Sequence, residues 1–190
     1  VDVALEAAAD LVREGSARLE VLGDGPERPT LERIVAQRGL AAGVDLAGWI
    51  DHRQLSERLA RSDVLVFPSV REFGGGAVLE AMAMGIAPVV VDYGGPAELV
   101  TPQTGFKVPL GTREELTRAF RQQLTPLAAE PAVVRAMGRR ARARVQAQFT
   151  WATRASQVLE VYDWVLGRRS EKPDFGMPLP DPPWSDPLEG

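Results

Sequence analysis

Cysteine is absent from the 190 residues, which excludes a disulfide framework and a thiolate metal site. A reducing compartment is compatible with this, and a cytoplasmic location is the expectation. Histidine occurs once, at His52, and lysine only at Lys107 and Lys172. The positive charge is therefore almost all arginine, which reads as compositional habit. No stretch approaches about 18 consecutive apolar residues, the length that a membrane-spanning helix needs. The first residues have no basic-then-apolar leader pattern. The chain opens on Val1 without Met, which points to a start inside a longer protein. Asp-x-Asp occurs nowhere, so an Asp-held divalent ion has no support and no metal or cofactor is expected.

The formal net charge of −4 resides at one end. Glu171, Asp174, Asp181, Asp186 and Glu189 face only Lys172 there, while residues 1–170 hold 21 acids and 21 bases. A neutral body creates no general field for polyanions, which argues against nucleic-acid binding. Hydrophobic residues at 45% and charged residues at 25% are enough for one packed core.

Helical and strand patterns alternate. Helical apolar spacing runs over 3–14 and stops at Gly15. A strand follows at 18–23, closed by Gly23-Asp24-Gly25-Pro26. A helix capped by Thr30 runs to Arg38, then come a strand at 44–48 and a helix over 54–61. Residues 63–69 read as a buried strand ended by Pro68. After the glycine run, a helix over 77–85 leads into the apolar strand 87–91. A turn and short helix (94–100), a weak strand (105–109) and helices over 112–124, 132–148 and 150–168 complete the pattern. Thr112 suits a helix cap, with Glu114 and Glu115 in the first turn. Such alternation predicts an α/β fold, a doubly wound, Rossmann-like parallel sheet. Three parts are expected: an α/β domain over 1–149, a final helix over 150–169, and a tail over 170–190. That tail carries six prolines in its last twenty residues, with Phe175 and Trp184 as its aromatics.

Ligands of open parallel sheets sit at the carboxyl ends of strands. Three such ends are glycine-rich or acidic: 23–26, 72–76 and 92–96. In the second, Glu72 precedes Gly74-Gly75-Gly76 and Glu80 lies one turn into the helix. Glycines admit a ligand to the backbone, free amides at a helix start favour anionic oxygens, and carboxylates accept from hydroxyls. That combination suits a sugar nucleotide. The plainer readings are a first-turn acid for Glu72, a solvated position for Glu80 and core positions for Met82 and Met84. Val78, Leu79 and Met82 argue for a largely buried helix around Glu80, and Ala77, Ala81 and Gly85 suit close packing on the sheet. His52 reads as an exposed loop residue. Arg135, Arg139, Arg140, Arg142 and Arg144 read as a solvated helix face. Gly23-x-Gly25 has Arg28 where a nicotinamide fingerprint needs a third glycine.

Ser62-Asp63-Val-Leu-Val-Phe-Pro-Ser69, then Glu72-Phe-Gly-Gly-Gly-Ala-Val-Leu-Glu80-Ala-Met-Ala-Met-Gly85, then Pro88-Val-Val-Val and Gly94-Gly95-Pro-Ala-Glu98-Leu-Val together resemble one family. It is the group 1 (family 4) retaining glycosyltransferases, in the C-terminal, donor-binding half of their GT-B fold. Leu22-Gly23-Asp24-Gly25-Pro26, Leu46-Ala-Gly48-Trp49, Thr104-Gly105-Phe106 and Phe149-Thr150-Trp151 resemble it too. The resemblance covers about residues 1–168 in order, with Phe73 one place earlier than in many members.

The resemblance implies that Glu80 holds ribose hydroxyls and that Glu72, the catalytic residue, lies beside the transferred sugar and helps place its hydroxyls. The amides of Phe73, Gly74, Gly75 and Gly76 would meet sugar and diphosphate, with Gly23 and Gly25 in the neighbouring loop. Trp49, Ile50 and Asp51 would border the base, and Glu98 ranks third among the acids. It further implies a nucleoside diphosphate sugar as substrate, hexose-type transfer with retention, no metal and no side-chain nucleophile. It also implies an acceptor domain and a first strand ahead of Val1, so the isolated fragment is expected to be inactive. The last helix would leave an apolar side under-covered. Peripheral membrane association of the full enzyme stays open. The alternatives are a GT-B-type epimerase or phosphorylase relative and a non-catalytic nucleotide-binding module.

Overall fold

The computed structural model describes residues 1–175. Its elements are α1 (Asp2–Arg13), β1 (Leu19–Leu22), α2 (Arg28–Arg38), β2 (Val44–Gly48), α3 (His52–Leu59), β3 (Val64–Phe67), α4 (Gly76–Ala83), β4 (Ala87–Val91), α5 (Gly94–Leu99), β5 (Phe106–Val108), α6 (Arg113–Ala129), α7 (Pro131–Gln148) and α8 (Trp151–Val165). Every strand pair is parallel, because parallel neighbours need a helical crossover and the sequence supplies one between each pair. The expected single sheet is divided. β1 pairs with β2, and β3-β4-β5 form a second sheet. No described strand pairs with the other sides of β1 and β3, so the ladder is interrupted there.

By contacts, the chain separates into Val1–Gln146 and Ala147–Gly190. In the first unit all five β4 residues are buried, and Leu5, Leu40, Val89, Val91, Val108 and Phe120 belong to the core around them. α1 is almost wholly apolar on its packed side, with Ala7, Ala8 and Ala9 buried. These short side chains let it lie close on α6. Arg113 joins the two helices by donating to Asp2 (Nε to Oδ2, 2.7 Å) and Glu6 (Nη2 to Oε1, 2.9 Å).

Several helix ends follow local chemistry. Thr112 and Glu115 form a reciprocal capping box at the start of α6. Gly39 closes α2 in the left-handed region, at φ 65°. The expected cap at Thr30 is corrected: Pro29 stands in the first turn, where its missing N–H is harmless, and α2 starts at Arg28. α6 also runs past its expected end at Leu124, through Pro126 to Ala129, because Leu127 is buried beyond the proline.

α7 seats its Gly138 against Gly85. A Cβ on Gly138 would overlap the Gly85 carbonyl oxygen, so the helix backbone rests directly on the turn before β4. The arginine run on this helix is only partly the solvated face expected. Arg140 Nε donates to Gln103 O (2.7 Å) and Arg144 Nε to Leu99 O (3.1 Å), strapping the helix to the chain on either side of Thr101.

In the second unit Thr150 caps α8 by accepting from the Thr153 N–H (3.2 Å). The Arg154 guanidinium lies 4.7 Å from the Phe149 ring centre. α8 buries none of its residues. Trp151 is 91% exposed, and Val158, Leu159, Tyr162 and Val165 are exposed as well. Of the tail expected over 170–190, residues 176–190, Trp184 among them, lie outside the described residues.

Two outcomes are expected from this packing. Gly138→Ala should lower stability by about 1–3 kcal/mol, since α7 must lift off Gly85 to admit a methyl group; urea unfolding measures it. The second concerns acid. Burial raises the Asp2 carboxyl, but hydrogen bonds from Arg113 and the Val3 backbone and nearby positive charge bring it below its ordinary value. Arg13 chiefly lowers Asp10, and the Thr112 backbone N–H and side chain lower Glu115. Depressed folded values contribute stability above the unfolded carboxyl range of about 4 and lose it as pH falls through them. The urea midpoint should therefore hold from pH 7 to about 5.5 and fall below about 4.5. Asp2→Asn should make that decline shallower.

Candidate functional site

At the carboxyl ends of β1 and β2 the chain makes two turns bonded to each other. The Gly23 N–H donates to Gly48 O (2.9 Å), and the two glycines form an isolated bridge. The positive φ of Gly48, 72°, lets the backbone leave β2 there. Asp24 Oδ1 accepts from the Gly25 N–H (2.8 Å) and tightens the first turn. A depression of about 240 Å³ opens beside it, lined among others by Val21, Gly23, Gly25, Arg28, Leu31 and Leu46. Its walls are largely aliphatic, with one guanidinium. Arg28 donates to Leu46 O (3.1 Å) and to Glu32 (2.9 Å), and approaches Asp24 at 3.8 Å.

Arg28 entered the sequence reading only as the residue that spoils a fingerprint. The overlooked signal is the spacing Asp24, Arg28, Glu32, with acids four residues to either side of the cation, Glu32 within α2 and Asp24 in the turn before it. Of the three residues expected to border a base, Trp49 is 79% exposed and Ile50 partly exposed. Asp51 Oδ1 accepts from the Gln54 N–H (2.9 Å) and caps α3, which uses one of its two oxygens. His52, expected in a loop, is the first residue of α3.

The second cluster follows β3. Phe67 ends the strand, Pro68 prevents its extension, and the chain reaches Glu72 before α4 starts at Gly76. Glu72 Oε1 accepts from the Gly75 N–H (3.1 Å). Gly75 adopts the left-handed region at φ 68°, which a glycine accepts without strain as the chain turns into α4. The Gly75 amide, expected to meet a ligand, is bonded to Glu72 here. The first intrahelical bond runs from the Leu79 N–H to Gly75 O (3.0 Å), so the N–H groups of Gly76, Ala77 and Val78 precede the ladder. Phe73, at 98%, is the most exposed of the large apolar residues among those described.

α4 buries Val78, Ala81 and Met82. Gly76, Ala77, Glu80 and Ala83 are exposed and recur at helical spacing, so they share one face. Glu80 thus stands one turn along the solvent face from Gly76. Two expectations change. The helix is half buried, with Glu80 on its open side, and Ala77 does not pack on the sheet. The sequence offered three small residues at i, i+4 and i+8, and only Ala81 is buried. Glu98, on α5, is exposed.

The structure thus forms two groups. Gly23, Gly25 and Trp49–Asp51 meet at the end of one sheet, and Glu72–Gly76 with Glu80 at the end of the other. The walls of the depression include none of residues 72–80. Chemically, Glu72 keeps one carboxylate oxygen beyond its cap, Glu80 keeps both, and a row of first-turn amides lies between them. That set accepts from hydroxyl groups and donates to anionic oxygens.

Parallel strands crossed by helices, with this acid-and-amide turn at a strand end, define the C-terminal α/β half of the GT-B architecture. The family profile described as "Glycosyl transferases group 1" matches residues 1–143, and the chain belongs to that family. It is 29% identical over 164 residues to alpha-D-kanosaminyltransferase of Streptomyces kanamyceticus, covering 85% of this chain and 42% of that protein. It is 32% identical over 163 residues to N-acetyl-alpha-D-glucosaminyl L-malate synthase of Bacillus anthracis, covering 85% and 41%. Sucrose-phosphate synthase from Thermosynechococcus elongatus aligns with a TM-score of 0.65 at 30% identity, over 86% of this chain and 43% of that one. The C-terminal domain of a group 1 glycosyl transferase (LpcC) from Francisella tularensis shares the fold at 19% identity and TM-score 0.64, over 77% of both chains. The chain spans about two fifths of the length of the curated relatives it matches.

The two acids should separate in stability measurements. Glu72→Ala removes the Gly75 cap and is expected to lower stability by about 0.5–2 kcal/mol. Glu80→Ala, on an open face, should stay within about 0.5 kcal/mol of wild type. Thermal unfolding of both variants checks this.

Proposed function

We propose that residues 1–149 are the donor-binding domain of a retaining glycosyltransferase, which moves a hexose-type sugar from a nucleoside diphosphate sugar to an acceptor. The observation that carries this reading is the arrangement around the start of α4. Glu72 is tied to the Gly75 N–H with one oxygen to spare, first-turn amides follow, and Glu80 lies one turn on along the open face.

In this reading Glu80 accepts hydrogen bonds from the ribose hydroxyls. The second oxygen of Glu72 accepts from hydroxyls of the sugar to be transferred. Cleavage of the anomeric bond leaves negative charge on the diphosphate and positive character on the sugar. Amides of Phe73, Gly74 and Gly76 aimed at that diphosphate stabilise the developing charge without reorganisation. The carboxylate of Glu72 lies on the side where positive character grows. Trp49 offers an exposed indole face beside the Gly23 turn, suited to border a base. No metal is assigned to the reaction.

The names of the relatives support sugar transfer as the reaction class, and the interrupted ladder supports a larger architecture. In a doubly wound sheet the strand leading into the first helix lies at the centre, and right-handed crossovers place later strands to either side. A parallel strand entering α1 would fit between β1 and β3 and join the two sheets. An acceptor domain before that strand would complete the enzyme, and transfer would take place between the two domains.

Titration of the full-length protein with UDP and with GDP tests the ribose contact. Glu80→Ala removes a hydrogen bond to a charged group worth about 1.5–3 kcal/mol, so affinity for the bound nucleotide should fall about ten- to a hundredfold. Unchanged affinity in a folded Glu80→Ala protein would withdraw Glu80 from the site. With donor and acceptor present, NMR of the product's anomeric proton should show the configuration of the donor.

A further inference from the structure

Glu72 is held by an amide that is itself held from behind. Three close approaches connect the turn at residues 72–75 with the start of α5. A Cβ on Gly95 would overlap Phe73 O and come within 3.0 Å of the Gly74 Cα and carbonyl carbon. A Cβ on Gly94 would stand 3.1 Å from Glu72 O, and Gly94 has a φ of 62°. A Cβ on Gly75 would lie 3.0 Å from Leu99 Cδ1 and 3.1 Å from the Pro96 backbone. The two turns therefore meet backbone to backbone at Gly94 and Gly95, with the Leu99 side chain and the Pro96 backbone behind Gly75. Pro96, Ala97 and Leu99 are buried, so the α5 side of this contact is anchored in the core. Gly75, whose Cβ position faces Pro96 and Leu99, supplies the N–H that Glu72 Oε1 accepts from.

We propose that the first turn of α5, with Gly95 at its centre, is a positioning element for the Glu72 carboxylate. It acts by fixing the Gly75 N–H and so aims the free oxygen of Glu72 at the sugar of the donor. This rests on the donor-site reading above. Gly95 touches no substrate. Its lack of a side chain lets the α5 turn close on residues 73–75 and leaves Glu72 one orientation. The structural link has its own readout, independent of any ligand.

The test uses the full-length protein with Gly95→Ala, with the milder Leu99→Val, and with Gly138→Ala as a control that inserts a methyl group against backbone elsewhere. Amide hydrogen exchange at Gly75, without ligand, should accelerate about tenfold in Gly95→Ala and about threefold in Leu99→Val, and stay unchanged in Gly138→Ala. Affinities are then measured for UDP against UDP-glucose and for GDP against GDP-mannose. Gly95→Ala should weaken the sugar nucleotide about tenfold more than the matching nucleoside diphosphate, which meets the amides of residues 73–76 but not the Glu72 carboxylate. In a Glu72→Gln background Gly95→Ala should add no further loss, since both act on one carboxylate.

Unchanged Gly75 exchange in a folded Leu99→Val protein overturns the proposal, even if Gly95→Ala fails to fold. Equal losses for sugar nucleotide and nucleoside diphosphate overturn it too, since they signify general loosening. A wild type that binds neither pair refutes the donor reading instead, and the exchange result alone then decides the positional link.

Discussion

β4 is buried along its entire length, and that burial constrains the rest of the first unit. Each of its valines, removed from water, stabilises the fold by about 1.5–3 kcal/mol. A strand covered on both faces needs helices above and below it, and parallel neighbours need crossovers that supply those helices. The carboxyl ends of β3 and β4 then emerge along one edge. The turns that hold Glu72 and Gly95 are neighbours because β3 and β4 are neighbours in register, with Phe67 opposite Val90.

Backbone meeting backbone recurs across this unit. Gly138 rests on Gly85, Gly95 on Phe73 and Gly105 on Pro88, each where a Cβ would overlap a carbonyl oxygen. Such contacts are stiff, because a flexible side chain can yield and a carbonyl cannot. Two of them flank β4: Gly138 on the turn before it and Gly105 on Pro88 within it. The third joins the turns after β3 and β4. A glycine-rich sequence therefore yields a firm strand edge, and the carboxylates at that edge inherit their geometry from the main chain.

The acids divide by what they are bonded to. Asp51, Glu72 and Glu115 each accept from the backbone at a helix start. Asp2 and Glu6 are taken up by Arg113. Glu80 and Glu98 lie exposed and form none of these bonds. Glu72 can do both, since a carboxylate has two oxygens and the cap uses one. The dipole-stabilised first-turn acid and the ligand-holding acid, weighed as rivals on sequence grounds, are compatible roles of the same side chain. In the proposed donor site, a ligand at Glu72 would meet a carboxylate already held at one oxygen.

Much of this was legible in the order of residues. Helix and strand alternation, the run Ala87–Val91, the cap at Thr112 and the acid–glycine–acid spacing are local patterns, and each depends on neighbours within a few positions. The sequence could not show that Gly75 gives its amide to Glu72, since that depends on the path the chain takes through residues 72–75. Nor could it show that Glu80 faces outward, that Arg140 and Arg144 strap α7 to distant carbonyls, or that Arg28 would line a depression beside Gly23. It left β1–β2 and β3–β5 as one expected sheet, because apolar runs do not specify their partners. By itself, then, the sequence determined the element types, the family and the acids worth examining. Tertiary structure decided which oxygen of which acid is free, because that depends on contacts between segments whose approach no local pattern encodes.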